Sequence, residues 1–247
     1  MKRASILLAT ALLLLVGCGT SGGEDATSSG GSTTTAAKDQ PPTAKQLLAI
    51  LPTAKEVGEG YEVSDTKDGT GPTTTTTSDP ADDEMDAKMN EACPAFAKLD
   101  KALSGKDNDD EVAKTYKTAD GREMEIEIDP TPTTFTEANI DKMVDAINGC
   151  SDITFSSDGV DITMKLTAKR NDTVGDYGVD LSMAATFQMM GIPMQLGFTG
   201  RFFAVDGVGV SITASGGFDQ ETGNPVEGDV DRVDPLAKDL ESRVQSL

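Results

Sequence analysis

The chain has no histidine and no tryptophan, only three cysteines in 247 residues, and half as many basic as acidic side chains. Each shortage removes a class of function. Without histidine there is no Ser-His-Asp triad, no imidazole general base and no His-ligated zinc. With 21 Lys and Arg against 42 Asp and Glu the formal charge is −21, so a nucleic-acid backbone is repelled and is not an expected partner. Aromatic residues are 4% of the chain, which leaves a core to be built from aliphatic side chains and the 10 methionines. No apolar run reaches the roughly 20 residues that a membrane-spanning helix needs. No phosphate-cradling P-loop is spelled out, and no nucleophile elbow lies between a strand and a helix. The carboxylates are numerous enough for chance proximity, so they are read as a solvated face rather than a glycosidase pair. The expectation is a protein that is not an enzyme and carries no cofactor and no metal.

The N-terminus is more specific. Lys2 and Arg3 precede an apolar stretch from 6 to 16 that only Thr10 interrupts, and Leu15-Val16-Gly17-Cys18 follows. A charged start, a short apolar region and a small residue at the cut describe a secretory signal peptide, residues 1–17. The cysteine directly after Gly17 resembles the lipobox of bacterial lipoproteins. That resemblance implies a diacylglyceryl group on the Cys18 thiol, cleavage before it, and an acyl chain such as palmitate on the new amine. Two or three acyl chains hold a protein durably at a membrane where one does not. The alternative use of Cys18 is burial or a disulfide. If it is lipidated, Cys93 and Cys150 are left to pair in an oxidising extracytoplasmic space or to remain as two buried thiols. Such a bridge closes a loop of about 58 residues, worth roughly 4 kcal/mol in the chain-entropy account.

Residues 19–40 have no apolar side chain larger than alanine and cannot offset their ordering entropy. With Cys18 they form a polar tether, 18–40, ahead of one domain at 41–247. Leu47, Leu48 and Leu51 share the face of a first short helix, and a second turn runs to Val57. A low-complexity excursion with five successive threonines at 73–77 occupies 68–83. Met85, Met89, Ala92, Phe96, Leu99 and Leu103 have helical spacing around Cys93. Thr136 opens a helix with Ile140, Met143, Val144 and Ile147 as its stripe, closed by Gly149 beside Cys150. Asp234 and Pro235 begin a final helix along Leu236, Leu240 and Val244.

Between the helices, apolar and polar residues alternate over 123–128, 160–169, 179–189, 194–202 and 208–212, with Asp-Gly turns at 120, 158 and 206. Period two with one polar face predicts an antiparallel sheet of about 5–7 strands, with helices packed on one face, in the α+β class. The expected inner face comprises Met164, Leu166, Leu181, Met183, Phe187, Leu196, Phe198 and Ile212.

The pair Leu47-Leu48 ahead of Ala54-Lys55-Glu56-Val57, then Cys93, then a helix ending in Cys150, resembles actinobacterial cell-envelope lipoproteins related to the extracellular sensor domain of PknH-type receptor kinases. The resemblance implies a sensing or binding domain outside the membrane.

Two local features invite a functional reading. Asp107-Asn108-Asp109-Asp110-Glu111 is dense in oxygen ligands but lacks the spacing and central glycine of an EF-hand, and is read as a charged turn before a strand. Met189, Met190, Ile192, Pro193 and Met194 make an apolar hairpin where polar residues are usual. They form either a lip for a ligand or partner, or a tip folded onto the core. Two functions follow. The first is a membrane-anchored, non-enzymatic binding or interaction module of the envelope, meeting an unknown envelope protein or ligand. The second is a carrier of an acyl lipid or glycolipid in a cavity between sheet and helices.

Overall fold

The computed structural model describes residues 40–69, 87–88, 91–95, 110–132, 135–157, 160–189, 192–218 and 224–247. Helix α1 (Ala44–Ile50) begins at Thr43, whose hydroxyl accepts from the Gln46 amide while the Gln46 side chain accepts from the Thr43 amide. At helix α2 (Ala54–Val57), with the same Thr-Xaa-Xaa-Gln/Glu spacing, the Glu56 carboxylate accepts from both the amide and the hydroxyl of Thr53. Strands β1 (Glu62–Asp68), β2 (Val112–Lys117) and β3 (Glu123–Asp129) follow. Helix α3 (Glu137–Asn148) leads into a long meander: β4 (Asp152–Ser157), β5 (Val160–Asn171), β6 (Tyr177–Met189), β7 (Ile192–Val205) and β8 (Val208–Ser215). Gly217–Phe218 (β9) and Pro225–Val226 (β10) form a small ribbon, and α4 (Val233–Gln245) ends the chain.

All eight long strands join one antiparallel sheet in the order β1-β2-β3-β8-β7-β6-β5-β4. The class is α+β as expected, but the sheet has eight strands rather than about 5–7. Alternation failed to announce three of the eight, β1, β2 and β4, and each explains itself: β1 has a single apolar residue, Val63, and none of its residues is buried. In β2 the core face carries Lys114 between Val112 and Tyr116, while Ala113 is buried on the other face, so the pattern blurs. In β4 only Ile153 and Phe155 are large and apolar. The β7–β8 turn is two residues, Asp206 and Gly207, at φ of 51° and 78°. That left-handed pair is the conformation an Asp-Gly hairpin supplies.

The expectation that helices lie on one face is wrong. Ladder partners share a face, and β3 Met124, Ile126 and Ile128 lie opposite β8 Ala214, Ile212 and Val210. These residues pack with α1, α2 and α4 in a first core that also contains Tyr116, Phe203, Leu47 and Leu240. In β7, however, Ile212 lies opposite Arg201, whereas Phe202 lies opposite Ser211 and Val179. The row of Phe198, Gly200 and Phe202 therefore belongs to the reverse face. There it joins Leu181, Met183, Leu166, Met164, Ile153 and Phe155 in a second core, covered by α3 and the segment at Cys93. Ile212 is thus removed from the expected inner face and placed on the opposite one. One continuous sheet carries two cores on opposite faces, one at each end.

The final helix also starts earlier than expected. Arg232 precedes its first residue, and Asp234 sits inside its first turn, bonded to Arg201 and Lys238 rather than to the helix amides.

Candidate functional site

Cys93 and Cys150 are joined in a disulfide with their Cα atoms 5.8 Å apart. Both are buried, Cys93 between helical residues at 91–92 and 94–95, Cys150 in the turn that follows α3. Asn148, at the end of α3, exchanges hydrogen bonds of 2.9 Å with both backbone groups of Ala168 on β5. Bridge and amide together fix the end of α3 to the second core. Cys18, residues 19–39 of the tether and the threonine run at 73–77 lie outside the described residues.

The apolar hairpin is a continuation of the β6–β7 ladder. Phe187 pairs with Met194, Gln188 with Pro193, and Met189 with Ile192; Met190 and Gly191 lie outside the described residues. Met194 is partly buried and packs against the second core, whereas Pro193 is exposed. Along the same face, the rings of Phe198 and Phe202 stand where a side chain on Gly200 would go: a Cβ there would lie 2.7 Å from the Phe202 ring. The space opened by this small residue is filled by its own strand.

Three charged clusters were not visible as clusters in the sequence. Arg201, on the first-core face of β7 and only 12% exposed, donates to Asp180 on β6 at 2.7 Å and to Asp234 on α4, tying the strand ladder to the helix of the first core. Arg122 donates to Asp229 at 2.7 Å and pairs with Asp120, while the Tyr61 hydroxyl donates to the same Asp229. Burial and the nearby Asp229 carboxylate push the Tyr61 hydroxyl up, and the Arg122 hydrogen bond holds Asp120 below the ordinary carboxylate range. Arg243 of α4 reaches back to Glu56 and to the Ile50 carbonyl at 2.7 and 3.0 Å. All three join elements far apart in the chain and act as structural ties.

The fourth cluster has the opposite balance. On the open face of β1–β3, Glu127 lies opposite Ala113, which lies opposite Lys67; Glu125 lies opposite Thr115 and Thr213. Glu111, just before β2, is buried and pairs with Lys67 at 2.7 Å. Desolvation pushes Glu125 up to about 7, helped by Glu123, Glu111 and Asp65. Glu127 is raised well above the ordinary value, first by desolvation and then by the Glu111 charge and hydrogen bond. Alternation marked these glutamates as an outward face; their company with Glu111 and Lys67 depends on strand order.

Ser64 and Lys67 have Ser-Xaa-Xaa-Lys spacing, but on an extended strand they do not meet: the Ser64 hydroxyl donates to the Thr115 carbonyl at 3.2 Å and Lys67 is held by Glu111. Asp110 and Glu111 of the expected charged turn lead into β2, and residues 107–109 lie outside the described ones. Among the described residues no three Cys, Asp or Glu side chains are arranged to hold a metal ion, and no helix is long and apolar enough to cross a membrane. No family model, curated protein or solved structure matches the chain.

Proposed function

We propose that the protein is a lipoprotein held at the extracytoplasmic face of the cell membrane through Cys18, and that its folded domain is a non-enzymatic, sensor-like binding or interaction module of the cell envelope. The observation that carries this reading is the order of the N-terminal residues: a charged start, a short apolar stretch, Leu15-Val16-Gly17-Cys18 and a polar tract to residue 40. The Cys93–Cys150 bridge supports an oxidising location, since such bonds are rare where thiols are kept reduced. The three arginine clusters support a structural use of the charged groups outside the carboxylate face, in keeping with binding rather than catalysis. The resemblance to PknH-type sensor domains supports the same class.

The test is the mass of the native N-terminal peptide with detergent partitioning of wild type and Cys18→Ser. Acyl chains on Cys18, lost with membrane association in the variant, are expected. An unmodified Cys18, or unchanged partitioning and processing in the variant, refutes the anchor.

A second reading, an acyl-lipid or glycolipid carrier, draws support from one row. Met183, Met194 and Leu196 on the second core's sheet face are only partly buried, and two of them are flexible methionines. Native mass spectrometry of the protein extracted from membranes separates the two. Stoichiometric noncovalent lipid, displaced by Leu196→Trp, favours the carrier; a lipid-free mass apart from the Cys18 modification favours the interaction module.

A further inference from the structure

We propose that the exposed face of β5–β7 binds the phosphate monoester of a water-soluble polyol, with Lys165 and Lys169 on either side of a hydroxyl row formed by Thr167, Ser182 and Thr199. This names a ligand class for the binding-module reading, on which it rests.

The site follows from the ladder register. Thr167 lies opposite Ser182, and Ser182 opposite Thr199, so three neighbouring strands place one hydroxyl each in a single row. Thr167 and Ser182 share one hydrogen bond of 2.6 Å, which leaves the pair one hydroxyl proton to donate outward. Residues two apart on a strand share a face, so Lys165 and Lys169 flank Thr167 on β5. Both lysines are exposed, and among the described residues neither is held in an ion pair. Two ammonium groups and the hydroxyl row match a group with two negative charges and three terminal oxygens, which is a phosphate monoester.

The carboxylates of the same face are engaged or lie to one side. Asp180, opposite Lys169, accepts from Arg201 at 2.7 and 3.0 Å and from Asn171 at 2.9 Å. Asp152, opposite Lys165 on the edge strand β4, accepts from Ser151 at 3.5 Å, and Asp161, further along β5, accepts from Ser156. On a chain of formal charge −21, two cations without an acidic partner on one face are the local complement of an anion.

The row beside the hydroxyls is low. Lys165 lies opposite Ala184, and Ala184 opposite Gly197, where an added Cβ would meet nothing within 4 Å. The row after it is polar again, with Thr163, Thr186 and Gln195. A polyol joined to the phosphate lies in this trough, between two rows of hydrogen-bonding side chains. On the other side α4 packs on the first core through Leu236 and Leu240, and its Asp234 is bonded to Lys238 and to Arg201. The helix stands above the sheet there and holds a flat bilayer surface away from Thr199, which selects a soluble ligand over a lipid head group.

The test is titration of the purified full-length protein with glycerol 3-phosphate at pH 7.5 and constant ionic strength, followed by amide nuclear magnetic resonance. Saturable shifts are expected at 165–169, 180–184 and 197–199, with a dissociation constant of about 1 mM or below. Lys165→Gln combined with Lys169→Gln should weaken binding about tenfold. Gly197→Leu, which fills the trough from an exposed position, should weaken it with both lysines in place, while Lys114→Gln on β2 should bind as wild type. Wild-type amide shifts outside the site establish that each variant is folded. Shifts that do not saturate, an affinity unchanged in the lysine double variant or in Gly197→Leu, or adsorption to phosphatidylglycerol vesicles without binding of glycerol 3-phosphate overturns the site. The mass of the Cys18 peptide is read separately, so failure of the anchor and failure of the site are told apart.

Discussion

The two ends of the sheet solve the same packing problem with opposite faces. At the β1–β3 and β8 end, the apolar residues point toward α1, α2 and α4; at the β4–β7 end they point the other way, toward α3 and the disulfide. Each end keeps one polar face, so each looks like an ordinary half-solvated antiparallel sheet. The difference is absorbed in one place. Over residues 201–205 of β7, Phe202 belongs to the second core while Phe203 and Val205 belong to the first. A strand buried on both sides lets a single hydrogen-bonded sheet serve two cores without a break in its ladder.

The largest expected effect comes from attacking that shared strand. Phe203 is fully buried, and Phe203→Ala should lower stability by about 3–5 kcal/mol in urea denaturation. Because β7 is common to both ends, the loss should appear in one transition. Tyr61 and Tyr116 report the first core and Tyr177 the second, so tyrosine emission in wild type and Tyr177→Phe tests whether the ends unfold together. Two separated midpoints would divide the molecule into independent halves.

Removing the disulfide sharpens the comparison from the other side. The pair Cys93→Ser and Cys150→Ser should cost at most about 4 kcal/mol. Exchange should rise in α3, β4 and β5, with β1–β3 little changed; equal loosening at both ends would show that the bridge acts on the whole sheet. A smaller effect is expected from Arg201→Met, which removes the cation between Asp180 and Asp234, leaves them only Asn171 and Lys238, and unties α4 from β6. About 1–3 kcal/mol by chemical denaturation is expected, and no change would assign that junction to apolar packing alone.

The smallest effect is one of pH at the first core. Hydrogen bonds from the Thr53 amide and hydroxyl, then from Arg243, hold Glu56 down to about 2. Its contribution is present above the ordinary value of 4.5 and disappears as pH falls toward 2, opposite in direction to Glu125. Glu56 is largely exposed, so Glu56→Gln should flatten the acid limb of the melting temperature only slightly. An acid limb identical to wild type would discount the contact with Arg243.

Local chemistry made much of this legible beforehand. The Thr-Xaa-Xaa-Gln/Glu pairs start α1 and α2, the Asp-Gly pair turns β7 into β8, the helical stripe from Ile140 to Ile147 covers a core, and the cysteine arithmetic leads to the Cys93–Cys150 bridge. Each depends on neighbours within a few residues or on an elimination among three thiols. What the chain alone could not convey was the placing of elements against each other. Alternation over 194–202 and 208–212 specifies that each strand has two unlike faces, but not whether Ile212 shares a face with Phe202 or with Arg201; the two-residue turn and the ladder register decide that. The strand order then brings Lys67, Glu111 and Glu127 together across 60 residues of sequence separation. The sequence by itself determined the helix starts, the strands with clean alternation and the Asp-Gly turn, because those follow from short-range periodicity. Only the tertiary structure decided which face each half of the sheet buries and which charges meet, because both follow from long-range register.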